Sequence, residues 1–241
     1  MRTETSEIVV SGIPVQIVRK KIKNLHLATY PPEGRVRIAV PLHVDDEAAR
    51  LAVTSKLGWI RKQQQIFSEQ LRQSEREMVN GESHYVRGRR YRLKVIEEPG
   101  RQRVRLSGHT LEIKVRPGST AEHRRAVLDR WNRERLQVDV DRLVAKWEPL
   151  VGARVNEARI KRMRTRWGTC NPQAARIWIN AELAKKPDEC LEYIVVHEMV
   201  HLLERRHSDV FKAHMDRLLP LWRNHRDTLN SVPLGHEDWN Y

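Results

Sequence analysis

Short apolar runs separated by turn signals open the chain. Ile8-Val9-Val10, Val15-Gln16-Ile17-Val18, Leu25-His26-Leu27-Ala28 and Val36-Arg37-Ile38-Ala39-Val40 are divided by Gly12-Ile13-Pro14 and Pro31-Pro32-Glu33-Gly34. Alternation bounded by glycine and proline predicts an antiparallel meander. Asp45 or Asp46 then caps a helix expected from Glu47 to about Arg76, apolar at Leu51, Leu57, Ile60 and Phe67. A second β-rich stretch follows in Tyr85-Val86, Tyr91–Ile96, Val104–Leu106 and Leu111–Val115, broken by glycines at 88, 100 and 108. Pro117-Gly118-Ser119 leads into a long helix, Thr120 to Val151, with Gly152 as its C-cap. Residues 154–168 and 176–180 read as two strands joined by a turn region at 168–175. Pro187, Asp188 and Glu189 open the next helix, with proline in the first turn and acids against the dipole. Ser208 or Asp209 starts another, running through Leu218 and Leu219. Strands and helices in separate runs predict a mixed α+β fold.

One of these helices carries chemistry. Residues 190–203 are apolar on nearly every side, which predicts burial, yet His197, Glu198 and His201 interrupt the run. Polar groups in such a helix are costly unless paired or bound to something. Residues four apart share a helix face, so His197 and His201 can aim their imidazoles at one point. That suits zinc, which takes nitrogen ligands at ~2.0–2.1 Å. Glu198 lies one residue round, a placement suited to a general base acting on a water at the ion's open position.

A catalytic zinc usually has three protein ligands. His207 follows His201 by six residues, a spacing similar to that of the metzincins, whose turn glycine is here replaced by Glu204. A different turn must bring His207 back, through Arg205-Arg206. Glu204 is a rival ligand, because 197, 201 and 204 share a face if the helix continues, and His214 is a weaker one. His207 is favoured, since an imidazole from the loop closes a tetrahedron from outside the helix.

Arg166-Trp167-Gly168-Thr169-Cys170, Ile177-Trp178-Ile179-Asn180, and His197-Glu198-Met199-Val200-His201 through His207-Ser208 to Phe211 together resemble the YgjP-like metallopeptidases. These are relatives of the SprT-like and WLM zinc proteases. The upstream half, including Leu57-Gly58-Trp59-Ile60 and Val86-Arg87-Gly88-Arg89-Arg90-Tyr91, is compatible with the family but less specific. The resemblance implies Zn2+ held by His197, His201 and His207, with Glu198 as base, and a peptide or protein substrate. It also implies a zincin-like domain over residues 119–230, with a three-stranded sheet and the H-E-x-x-H helix. A β-rich N-terminal region over 1–118 and a polar tail over 231–241 complete the expected organisation. In zinc proteases of this type an edge strand near the metal holds extended substrate, and Arg176–Asn180 resembles it in position; an interior strand is the alternative reading.

Among the remaining residues, Arg166 is read as a structural ion pair, with stabilisation of an oxyanion as the functional alternative. Cys170 reads as a buried small hydrophobe, Trp167 and Trp178 as core, and His236 and Glu237 as weak candidates for a metal. Tyr193, four residues before His197, offers no assignable role as a transition-state stabiliser.

Composition adds two constraints. Two cysteines allow at most one disulfide, the N-terminus lacks an apolar signal region, and no run reaches the ~18 apolar residues of a membrane span, which together point to the cytoplasm. A net charge of +14 favours polyanions, so nucleic acid is an alternative partner, with Arg154, Arg159, Lys161, Arg162, Arg164 and Arg166 as the densest cluster. The alternatives to a peptidase are therefore a basic nucleic-acid-associated protein with a structural zinc, or a zinc amidase on a non-peptide substrate. Glu198 separates the first from an enzyme, because a structural site has no use for a carboxylate beside an open position. No G-x-S-x-G supports a serine mechanism.

Overall fold

The computed structural model describes residues 4–30, 34–69, 76–163 and 166–231. It divides into two compact units, one within residues 1–72 and one within 73–236.

In the first unit β1 (Glu4–Val10), β2 (Ile13–Lys20), β3 (His26–Tyr30) and β4 (Arg35–Pro41) form one sheet in the order β1-β2-β4-β3. The expected meander is wholly antiparallel, but β2 and β4 run parallel, from Val15 opposite Val36 to Lys20 opposite Pro41. Alternation decides which face of a strand is buried and leaves its neighbour open. Val15, Ile17, Val36, Ile38 and Val40 are all fully buried, and parallel pairing puts them on one face as well as antiparallel pairing would. Ala49 and Val53 of α1 (Asp46–Thr54) and Ile60 of α2 (Leu57–Glu69) cover that face. Asp45 is the N-cap, its carboxylate accepting from the Ala48 N–H at 2.8 Å. The single helix expected from Glu47 breaks at Ser55-Lys56, where the Ser55 hydroxyl donates to the Ala52 carbonyl at 2.8 Å. Residues 70–75, before its expected end at about Arg76, and the turn over 31–33 lie outside the described residues, and Arg76 itself is not helical.

The second unit starts with β5 (Ser83–Val86), β6 (Arg89–Glu97), β7 (Arg103–Ser107) and β8 (Thr110–Val115), in the order β5-β6-β8-β7. Its inner face, Leu93, Leu111, Ile113 and Val115, packs on Val127 and Leu128 of the long helix α3 (Ala121–Val151). Thr120 caps that helix, accepting from the His123 N–H at 3.2 Å, and Gly152 ends it in the left-handed region at φ 78. Further along, Leu136, Val140, Leu143 and Trp147 of α3 join a second core built around α4 (Asp188–Val200).

Between α3 and α4 lies a three-stranded sheet of β9 (Glu157–Lys161), β10 (Gly168–Asn171) and β11 (Arg176–Asn180), in the order β10-β11-β9. Of the strand expected over 154–168 only β9 forms among the described residues, and the expected turn region at 168–175 instead begins with β10, on the opposite side of β11. The Asn180 side-chain amide ties the ends of these two segments together, donating to the carbonyls of Met163 and Arg166, both at 2.8 Å. A 3₁₀ turn, Ala181–Lys185, leads to α4, followed by α5 (Asp209–Leu218) and α6 (Trp222–Ser231).

The start of α4 is held by the β5–β6 hairpin. Its turn residues Arg87 and Gly88 are both left-handed, at φ 48 and 74, and their N–H groups donate to the carbonyls of Ala184 and Lys185, each at 3.0 Å. A Cβ on Gly88 would lie 2.7 Å from Pro187 Cγ, so only glycine lets the turn seat against the residue preceding the helix.

Candidate metal centre

Helix α4 is among the most buried elements of its unit, as its all-round apolar sequence predicts. It places His197 and Glu198 in its last turn and ends at Val200, with His201 as C-cap. The chain therefore leaves the helix before Glu204, which removes the shared face that made Glu204 a rival ligand. The Glu204 carbonyl accepts from His201 Nδ1 at 3.0 Å, and its carboxylate accepts from the Arg206 N–H at 2.9 Å. The turn expected to need glycine is closed by these two bonds instead, and it returns His207 to the helix end.

His197, His201 and His207 each offer a nitrogen, and the three lie within 4.8 Å of one another, a group able to hold a metal ion among the described residues. The Nε2 atoms of His197 and His207 are 3.0 Å apart. Two ligand atoms on a tetrahedral ion with ~2.0–2.1 Å bonds stand about 3.3 Å apart, so this pair is spaced for a zinc-sized cation, whereas the full 4.8 Å span of the cluster must contract for all three to bind. The bond from His201 Nδ1 to Glu204 leaves His201 Nε2 with its lone pair free. Burial, reinforced by its two histidine neighbours, pushes the His197 pKa down to about 3. Burial also lowers that of His201, so both are neutral donors at pH 7. His197 Nδ1 is buried without a partner among the described residues, and packing orients the ring, with Tyr193 and Phe211 edge-on at 5.7 and 4.9 Å between centroids. His214 lies on α5 outside the cluster, and His236 and Glu237 lie outside the described residues.

Glu198 is 5% exposed and sits beside the histidines. Burial raises its pKa to about 8, partly opposed by the charge of Arg166. Its carboxylate is covered by the backbone of β10, where a Cβ on Gly168 would lie 2.5 Å from Glu198 Oε1 and 2.6 Å from its Cγ. In the sequence Gly168 reads only as part of the family-like stretch 166–170 and the start of a turn region, with no sign of its contact with Glu198. Its neighbour Cys170 is partly buried beside the same carboxylate, and burial, aided by the Glu198 charge, pushes its thiol up to about 11. Such a thiol stays protonated and packs as a small hydrophobe.

These groups line a cleft of about 580 Å³ that also takes in Trp167, Thr169, Tyr193, Arg166, Arg205 and Arg226. Arg166 is exposed and ion-pairs with no carboxylate among the described residues, contrary to its expected structural pairing. Trp178, expected in the core, is half-buried, with the Lys161 ammonium 4.0 Å over its ring. The strand with a free edge beside the cleft is β10, because β11 follows the interior rather than the edge reading and is flanked on both sides.

The profile of the YgjP-like metallopeptidase domain matches residues 23–232. The chain belongs to the YgjP-like metallopeptidase family. A metallopeptidase of this family requires a metal ion, and the histidine cluster is where the fold offers one a place. No curated protein matches the chain. Among solved structures it is similar to the metallopeptidase zymogen abylysin of Pyrococcus abyssi, at 19% identity and TM-score 0.35, over 37% of this chain and 90% of that one. No helix among the described residues is long and apolar enough to cross a membrane.

Proposed function

We propose that this metallopeptidase is zinc-dependent, with His197, His201 and His207 as ligands and Glu198 as the general base. One observation carries the reading: a buried carboxylate stands beside three clustered imidazoles at the wall of an open cleft. A bound zinc would supply Lewis-acid polarisation of a carbonyl and of a water. Glu198 accepts the proton of the attacking water and passes it to the leaving amine. Its burial keeps proton affinity high, and a neighbouring cation lowers it toward the neutral range in which both transfers are feasible. Strand β10 supplies the unpaired backbone edge along which an extended peptide adds as a further strand, with Gly168 at its start and Thr169 facing the cleft.

Elemental analysis tests the ligand set. The expected result is one zinc per chain in wild type and in Glu204→Ala, and loss of zinc in His207→Ala. Glu198→Gln is expected to retain zinc while peptide hydrolysis falls by about 10²–10⁴-fold. A metal-free wild-type protein purified without chelators, or an active Glu198→Gln, would overturn the assignment.

A further inference from the structure

The charge around the cleft is one-sided. Arg166 enters it from the segment before β10, Arg205 from the loop between α4 and α5, and Arg226 from α6. Glu198 is the sole carboxylate among the described residues lining the cleft, and it is buried at the wall rather than exposed to a ligand. All three arginines are exposed. Arg226 shares its guanidinium with Asp227, through two bonds of 3.1 Å, and lies 5.4 Å over the Trp222 ring. Neither Arg166 nor Arg205 is ion-paired among the described residues, whereas several arginines elsewhere are. Arg19, Arg87 and Arg124, for example, pair with Asp46, Asp139 and Glu97. Two guanidiniums that line one concave site without an ion-pair partner among the described residues favour a planar anion, which a guanidinium binds through a pair of parallel N–H bonds.

We propose that Arg166 and Arg205 select substrates by a peptide carboxylate held next to the scissile bond. The inference rests on the peptidase reading above and names the substrate class it leaves open. The carboxylate has two possible sources, an aspartate or glutamate side chain or the free C-terminus of the peptide. Either one brings to the cleft the charge it lacks. A lysine- or arginine-rich peptide meets the like charge of Arg166 and Arg205 and is rejected, because charge juxtaposition at an interface penalises the wrong partner as well as rewarding the right one.

The test is binding, measured by fluorescence anisotropy on the full-length Glu198→Gln protein with its metal. Four labelled peptides of one sequence are compared, with Glu or Gln at a central position and with a free or amidated C-terminus. The expected result is binding about tenfold tighter for one carboxylate source over its neutral counterpart, with the preference shrinking as salt screens the exposed arginines. Preference for the Glu peptide assigns a side-chain subsite, and preference for the free terminus assigns an exopeptidase-like one. Arg166→Gln and Arg205→Gln, both at exposed positions and checked by thermal melting, should each reduce the preference severalfold. Equal binding of all four peptides overturns the inference. So does a preference undiminished in the Arg166→Gln/Arg205→Gln double variant, which would place the carboxylate on the metal alone. Carboxylate-selective binding without cleavage by wild type would overturn the peptidase reading and leave this one standing. Ready cleavage of neutral amidated peptides would do the reverse.

Discussion

Gly168→Ala isolates the contact on which the placement of Glu198 depends. Gly168 has no left-handed backbone, so the substitution adds one methyl group and no backbone strain. That methyl arrives 2.5 Å from Glu198 Oε1, 2.6 Å from Cγ and 2.8 Å from Cδ. Ordinary contact begins near ~3.5 Å, so the carboxylate or the strand must retreat by about 1 Å. Glu198 cannot swing into solvent, being 5% exposed on a buried helix, and β10 is tied through its whole length to β11. Overpacking of this kind costs about 1–3 kcal/mol, or a fall in Tm of about 2–4 °C per kcal/mol. A 1 Å displacement of a catalytic group costs about 10²-fold in rate. Purified Gly168→Ala should therefore fold, retain its metal, melt several degrees lower and lose about 10²-fold in kcat/KM on a peptide substrate. Pairing it with Glu198→Asp, which withdraws the carboxylate by one methylene, should recover most of the stability and none of the activity. A stable, metal-loaded Gly168→Ala within twofold of wild-type activity would show that this contact does not position the base.

Three further outcomes follow from the same reasoning. Gly88→Ala combines a left-handed φ of 74 with a Cβ 2.7 Å from Pro187 Cγ, and should lower stability by about 1–3 kcal/mol in denaturant melts, whereas Gly108→Ala, also left-handed but in open space, should cost less. Burial lowers the pKa of His84 below its unfolded value of 6.5 despite its bond to Glu82. The unfolded chain thus binds the extra proton first, so this contribution to stability is complete above pH 6.5 and is lost as pH falls toward the folded pKa. His84→Gln should flatten that acid limb in urea titrations at pH 5–7, and an unchanged slope would count against it. Cys170→Ala should leave activity within a few fold and leave zinc content unaltered, because a thiol held near 11 supplies neither nucleophile nor ligand at neutral pH; loss of metal in that variant would contradict the three-histidine assignment.

The candidate site was legible to the extent that it is written in helical period. His197, Glu198 and His201 follow from one buried helix, because four-residue spacing and apolar surroundings carry the geometry with them. Long α3 and its two caps were legible for the same reason, since Thr120 and Gly152 are local signals. Arg205 and Arg226 carried no such signal: they share a cleft only because the α4–α5 loop and α6 fold back to it. The strand readings erred in one direction, toward sequential antiparallel neighbours. In both four-stranded sheets the central pair is parallel, joining strands that are not consecutive.

By itself the sequence determined the α+β composition, the helix that presents His197 and His201, and the buried carboxylate between them, all consequences of spacing within single elements. Tertiary structure decided the rest. Where α4 stops determines whether Glu204 or His207 reaches the cluster, and that end is set by bonds from His201 and Arg206 to Glu204. Which strand borders the cleft depends on β9 crossing to the far side of β11, a choice made by pairing between distant segments. That Gly168 must be glycine depends on Glu198 lying above it, thirty residues later in the chain. Local periodicity specifies which side of an element is buried, but the partner buried against it is selected only when the whole core closes.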